Sequence, residues 1–142
     1  MQLSVVGLLH RFETMAELEA SCACLAAIRM SDAERAALRA MLDNGRSLVS
    51  LDRRDAYRLL NHQFNGAIYD GTANPHLRKT VMSVRQVQFR IDERLTISQR
   101  EHEAVVVAIL DRDASDAANA VRSHIITVRD TVKAYLEGAT DL

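Results

Sequence analysis

Apolar side chains recur at steps of three and four along most of this chain, which is the spacing of one face of an α-helix. The first stripe consists of Phe12, Met15, Leu18, Cys22 and Leu25. It predicts an amphipathic helix from about Val6 to Arg29. A second helix is expected to start near Asp32, because Ser31 and Glu34 form a capping box in which each side chain satisfies an amide of the other.

Four further helices follow from the same pattern and from turn signals between the stripes. A break near residues 50–52 precedes the third helix, which ends in the turn at residues 70–75. Pro75 suits the first turn of a fourth helix, whose stripe continues through Val84 and Ile91 to Leu95 and weakens around residues 92–96. Ser98 and Glu101 form a second capping box that predicts the start of the fifth helix.

The sixth helix is expected to be capped by Ser115 or Asp116 and closed by Gly138. Short connections between helices favour antiparallel neighbours, so the prediction is an all-α antiparallel bundle that forms a single domain over residues 1–142. Composition agrees: 48% of the 142 residues are hydrophobic, only 4% are aromatic, and the chain holds five glycines and one proline. A β-sandwich or barrel needs more turn residues and strand-forming side chains.

Charge and cysteine content exclude several classes of function. Eighteen basic and 19 acidic residues give a net charge of −1, too balanced for a surface that neutralises DNA phosphates. No stretch approaches the length of a membrane span, and the first residues lack the features of a signal peptide, so a cytoplasmic location without membrane contact is expected. Cys22 and Cys24 point in different directions on one helix, and are interpreted as small reduced thiols.

Four polar residues occupy positions where the helical stripes should be apolar. His102 lies beside Val105 and Val106 on the fifth helix, and His124 lies between Val121 and Val128 on the sixth. Asn61 and Asn65 stand one turn apart on the third helix. Because a buried polar group without a partner costs about 1–3 kcal/mol, several on separate helices predict a shared polar pocket.

Arg85 and Gln88 on the fourth helix neighbour Val81 and Val84, so at least one of them is expected to reach the same pocket. The alternative for each histidine is a core imidazole that is hydrogen-bonded to a nearby carbonyl group. The remaining polar candidates are expected in solvent, at His10, His62, His76, Glu13, Glu17 and Glu19. No nucleophile elbow, phosphate loop or His-Glu-x-x-His helix occurs, so an enzyme is not predicted.

Four stretches carry a resemblance to a known family; they are residues 12–19, 61–77, 101–105 and 120–124. In order and spacing they resemble the FCD-type effector domain, the C-terminal sensor of the fatty-acid-regulator branch of GntR-family transcriptional regulators. The resemblance covers nearly the whole chain. It implies an antiparallel bundle of six or seven helices that dimerises and binds a small-molecule effector.

Members of that family commonly hold a divalent metal through an Asp and three histidines. His102 and His124 match two of these histidines, whereas Asn61 and Asn65 stand where the family has the Asp and the first His. Neutral amides suit Zn²⁺ or Ni²⁺ poorly, so the resemblance implies at most a weak metal site at these four residues. The family's effector-binding arginine of the first helix corresponds to Met15 here.

Arg85 matches a basic position of the family's fourth helix, so a carboxylate effector is expected to meet Arg85. The winged helix-turn-helix that precedes this domain in the family is not expected within residues 1–142, and DNA contact is expected only through such a domain. The leading hypothesis is therefore a ligand-sensing and dimerisation domain of a transcriptional regulator, whose effector contacts Arg85, Gln88, Asn61, Asn65, His102 and His124.

Two alternatives remain. The first is a structural dimerisation scaffold whose polar residues bond one another around a vestigial pocket. A cavity of roughly 300 Å³ or more favours sensing, and a collapsed network favours the scaffold. The second is a metal-dependent hydrolase, which would need a carboxylate beside the metal, and none is found on the pocket-facing stripes.

Overall fold

The computed structural model describes residues 4–85 and 95–140. These residues form helices and no strand, which confirms the predicted all-α bundle. The six helices are α1 (Val5–Arg29), α2 (Asp32–Ser50), α3 (Arg54–Gly71), α4 (Pro75–Val84), α5 (Leu95–Leu110) and α6 (Ala114–Thr140). None of them is both long and apolar enough to cross a membrane.

Helix starts follow the local capping chemistry at the first, second and fourth helices. The Ser31 side chain accepts a hydrogen bond from the Glu34 amide and Glu34 accepts one from the Ser31 amide, so the predicted capping box is formed. Asn74 caps α4 directly before Pro75. Ser4 caps α1, which therefore begins one residue before the predicted position.

The boundary between the fourth and fifth helices was predicted wrongly. Helix α4 already ends at Val84, and Leu95 belongs to α5 rather than to the end of α4. Ser98 lies inside α5, so the second capping box does not exist. Its neighbour Gln99 is instead buried and donates a hydrogen bond to the Leu42 carbonyl of α2 at 2.8 Å. Gln88 and Ile91 lie outside the described residues.

Both ends of α6 also differ from the prediction. Asp113 caps the helix, because its carboxylate accepts a hydrogen bond from the Asp116 amide at 2.9 Å, and the helix begins at Ala114. Gly138 does not close the helix, which continues to Thr140. A glycine in a helix interior costs only about 1 kcal/mol, so it does not by itself end a helix.

Helix α1 is the central helix of the bundle and packs against α3, α4, α5 and α6. Its inward face is made largely of small residues, which let neighbouring helices approach closely; they are Ala16, Ala20, Cys22, Ala23, Ala26 and Ala27. Helix α2 packs on α3 and α5 instead. Side chains of α1, α3, α5 and α6 therefore converge in the middle of the bundle.

Arg35 is a buried cation that joins three helices at one end of the bundle. Its guanidinium donates hydrogen bonds to the carbonyl groups of Ala27 and Met30 at the end of α1 and of Ile109 at the end of α5. These carbonyls lie at helix ends, where carbonyl groups carry partial negative charge, and the Ile109 carbonyl also accepts from the Arg112 amide at 3.1 Å. The group is therefore satisfied without a carboxylate, although burial lowers the pKa of Arg35.

Candidate functional site

A small cavity lies at the centre of the bundle, where α1, α3, α5 and α6 meet. This central cavity is lined by Glu19, Phe64, Asn65, Ile68, Tyr69, His102, Val105, Val121 and His124. Its volume is about 20 Å³, which is room for about one water molecule. Three of the residues predicted from the sequence, Asn65, His102 and His124, thus share one cavity.

The two histidines are in direct contact. Their ring centroids lie 4.9 Å apart in an edge-on arrangement, and the His102 ring also stacks on Phe64 with centroids 4.6 Å apart. His124 Nδ1 lies 3.4 Å from Glu101 Oε2, and the hydroxyl of Tyr57 lies 3.5 Å from His102 Nδ1. The other three histidines of the chain are exposed, as predicted.

Asn61 does not line the central cavity. It lies one turn earlier on α3 and borders a second void of about 10 Å³, the lateral cavity, with Tyr57, Gln99, Phe64 and His102 among its other walls. The stacked rings of Phe64 and His102 belong to both voids and separate them. The Asn61 Oδ1 atom is buried and accepts no hydrogen bond from the described residues.

Arg85 belongs to a buried polar cluster rather than to the cavity wall. Its Nη1 donates hydrogen bonds to Glu19 Oε1 and, at 2.6 Å, to the hydroxyl of Tyr69, which in turn donates to the same Glu19 oxygen. Burial lowers the pKa of Arg85, and the neighbouring Glu19 and Tyr69 raise it by more. Burial and the Glu19 charge raise the pKa of Tyr69 well above its usual range. The cluster joins α1, α3 and the end of α4.

The prediction for Glu19 was wrong. This residue was expected in solvent, yet it is only 5% exposed and provides a carboxylate to the central cavity. The signal was present in the spacing: Glu19 lies four residues after Met15 and three before Cys22, so it falls on the apolar stripe of α1. Glu13 and Glu17 are exposed as predicted.

The donor atoms do not fit the divalent metal that the family resemblance implies. Among residues 4–85 and 95–140, no three His, Cys, Asp or Glu side chains are placed to hold one ion. His102 and His124 would have to be joined by the amide oxygens of Asn61 and Asn65, and Asn61 faces the lateral cavity. Zn²⁺ and Ni²⁺ favour nitrogen, sulfur or anionic oxygen ligands, so this set is a poor one.

Comparisons with known proteins agree with this architecture. The model of the FCD domain family matches residues 10–127. The fold is similar to that of Streptococcus agalactiae GntR, with a TM-score of 0.72 and 20% identity over 86% of this chain and 57% of that one. It is also similar to E. coli McbR/YncC, with a TM-score of 0.76 and 14% identity over 92% and 71% of the two chains. No curated protein matches the sequence of this chain.

Proposed function

Because the chain belongs to the FCD domain family, we propose that it is the effector-sensing and dimerising part of a transcriptional regulator. This chain spans 57% of the length of the Streptococcus agalactiae protein to which it is similar. We propose that such a regulator contacts DNA through a separate winged helix-turn-helix domain and not through this bundle. The effector is proposed to be a small polar molecule that enters the bundle between α1, α3, α5 and α6.

The observation that carries the proposal is the set of polar side chains around the two voids. Asn65, His102 and His124 border the central cavity, and the buried Asn61 Oδ1 beside the lateral cavity accepts no hydrogen bond from the described residues. A buried acceptor without a partner costs about 1–3 kcal/mol, so a purely structural core gains nothing by keeping it. A ligand that donates hydrogen bonds would recover that cost.

The small volume of the two cavities means that an effector can bind only if the bundle changes its packing. Neither void admits a metabolite as it stands, so binding must move the Phe64 and His102 rings that separate them. A ligand that fits only the widened bundle shifts the population toward that geometry by its difference in affinity for the two. Because Phe64 lies on α3 and His102 on α5, the shift changes how these helices pack.

The scaffold alternative is favoured by the same volumes, which lie far below those of ordinary ligand sites. It expects the polar residues to bond one another. The contacts of His102 with the Tyr57 hydroxyl and of His124 with Glu101 fit that expectation, and the buried Asn61 oxygen does not. The hydrolase alternative gains a carboxylate in Glu19, but this residue is engaged with Arg85 and Tyr69.

A thermal-shift screen of the chain against polar metabolites and divalent metals tests the proposal. A ligand at 100 times its Kd stabilises the folded protein by about 2.7 kcal/mol, which raises the Tm measurably. Asn65→Leu should abolish the shift, and Asn119→Leu, which replaces an exposed amide on α6, should leave it unchanged. A shift that survives Asn65→Leu would place the ligand elsewhere. Light scattering that gives a monomer at micromolar concentration would contradict the dimer.

A further inference from the structure

The cationic residue expected to bind an anionic effector is separated from the cavity by a carboxylate. Glu19 lines the central cavity, whereas Arg85 is not among the described residues that line it. Arg85 lies behind Glu19 and donates to it and to Tyr69. The charge that a ligand meets on this wall is therefore that of Glu19.

One oxygen of Glu19 holds the cluster together and leaves the other available to a ligand. The hydrogen bonds from Tyr69 and from Arg85 both end on Oε1. Oε2 accepts no hydrogen bond from the described residues, and Glu19 is part of the cavity wall. A carboxylate oxygen accepts hydrogen bonds and donates none when ionised, so this wall favours an N–H or O–H group.

We propose that the effector is an uncharged molecule that donates an O–H or N–H hydrogen bond to Glu19 Oε2, and that Glu19 excludes carboxylates from this cavity. This inference rests on the proposed sensing function and narrows its ligand class. It replaces the carboxylate effector that the resemblance implies at Arg85. A carboxylate could contact Arg85 only if the ion pair between Arg85 and Glu19 were broken.

Charge balance supports an uncharged ligand. An anion that displaced Glu19 from Arg85 would leave a second carboxylate buried with Tyr69 as its remaining donor, and unpaired buried charges are strongly unfavourable. A cation gains less than usual from Glu19, because Arg85 already balances that charge. Hydroxyl or carboxamide groups match the other polar walls, since the Asn65 amide and the two imidazoles both donate and accept hydrogen bonds.

Acetamide and acetate test the inference, because they have the same shape and differ in charge and in hydrogen-bond donors. Titrations of the isotope-labelled full chain are followed by NMR at the Asn65 and His124 signals. Acetamide is expected to shift these signals saturably, with a Kd at least about tenfold lower than that of acetate, as a charged hydrogen-bonding partner implies. The methyl group of either probe contacts the apolar walls equally.

Glu19→Gln should then move the preference toward acetate by about tenfold or more, because Arg85 loses its internal counter-ion. Glu17→Gln is the matched control, since Glu17 is exposed on the same helix and pairs with Arg122. Acetate that binds wild-type protein as tightly as acetamide, with loss of both in Asn65→Leu, overturns the inference and leaves the sensing function standing. If neither probe shifts the cavity signals while the thermal-shift screen yields a ligand whose effect Asn65→Leu abolishes, the inference fails and the sensing function stands. The wild-type comparison remains decisive if Glu19→Gln does not fold.

Discussion

Two arginines, Arg35 and Arg85, donate hydrogen bonds inside this bundle, and their acceptors differ in kind. Arg35 donates only to backbone carbonyls at the ends of α1 and α5, whose partial charges are fixed by the helices. Arg85 donates to two side chains, Glu19 and Tyr69, which can change rotamer or partner. The acceptors around Arg35 are backbone groups held in place by helices, whereas those around Arg85 are side chains that can rearrange.

The comparison indicates where this fold is rigid and where it can respond. Every donor-acceptor pair around Arg35 joins helix ends, so its loss would take the donor from the Ala27 and Met30 carbonyls at once. Around Arg85 a single carboxylate mediates between the cation and the central cavity. Stability is therefore expected to depend most on Arg35, and ligand response on Glu19 and its neighbours.

Arg35→Met should give the largest loss of stability. Methionine keeps the apolar stem but removes the donor of the Ala27 and Met30 carbonyls, whereas the Ile109 carbonyl keeps the Arg112 amide; the expected cost is about 3 kcal/mol. Urea unfolding measures this loss. Arg39→Met is the control, because Arg39 is exposed one turn later on α2, and its effect should stay within about 0.5 kcal/mol. Equal losses of stability at the two positions would contradict the structural role of Arg35.

Asn65→His should create metal affinity at the central cavity. A third imidazole joins those of His102 and His124 at the same cavity, so the Kd for Zn²⁺ should fall by about 100-fold, or roughly 3 kcal/mol. Calorimetry measures the change, and adding His102→Ala should abolish it. Nanomolar Zn²⁺ binding by the unmodified chain would contradict the poor fit of its donors.

Arg85→Met tests the cluster by a double-mutant cycle. The single variant leaves the buried Glu19 carboxylate without its cation and should lower the free energy of unfolding by about 2 kcal/mol. This loss is smaller than that expected for a fully buried ion pair, because the Arg85 side chain is 26% exposed. With Glu19→Leu added, most of that loss should return, since replacing both partners of a buried pair is often close to neutral. Additive losses in urea unfolding would show that the two residues act independently.

Asn61→Leu should produce the smallest change and the opposite sign. It removes a buried acceptor that has no hydrogen-bond partner among the described residues, so the free energy of unfolding should stay constant or rise by up to about 1 kcal/mol. Asn119→Leu on the surface serves as the reference in the same thermal unfolding measurement. A loss above about 1 kcal/mol would mean that the Asn61 amide contributes to the fold.

Helical periodicity and capping residues were sufficient to predict most of the fold. The stripes of α1, α2 and α3 and the capping box at Ser31 translate directly into structure, because helix formation there depends on neighbours three and four residues away. The start of α5 could not be predicted in this way. Ser98 and Glu101 have the spacing of a capping box, but the helix begins earlier and tertiary contacts bury Gln99 against α2.

The candidate site was predicted in part, for a related reason. Polar residues on apolar stripes identify which side chains point inward, and His102, His124 and Asn65 do meet at one cavity. Which inward groups pair with each other depends on how the helices pack, and a single helix pattern contains no such information. Glu19 and Tyr69 therefore emerged as partners of Arg85 only from the three-dimensional arrangement.

Local unfolding of helix α4 should depend on the cluster of Arg85, Glu19 and Tyr69. This helix is ten residues long, shorter than a helix that is stable by itself, and Val81 is its only fully buried side chain. Its C-terminal cap, Arg85, is tied to Glu19 and Tyr69. The amide hydrogens of α4 should therefore exchange with solvent faster than those of α1, and their protection should report whether Arg85 still holds its partners.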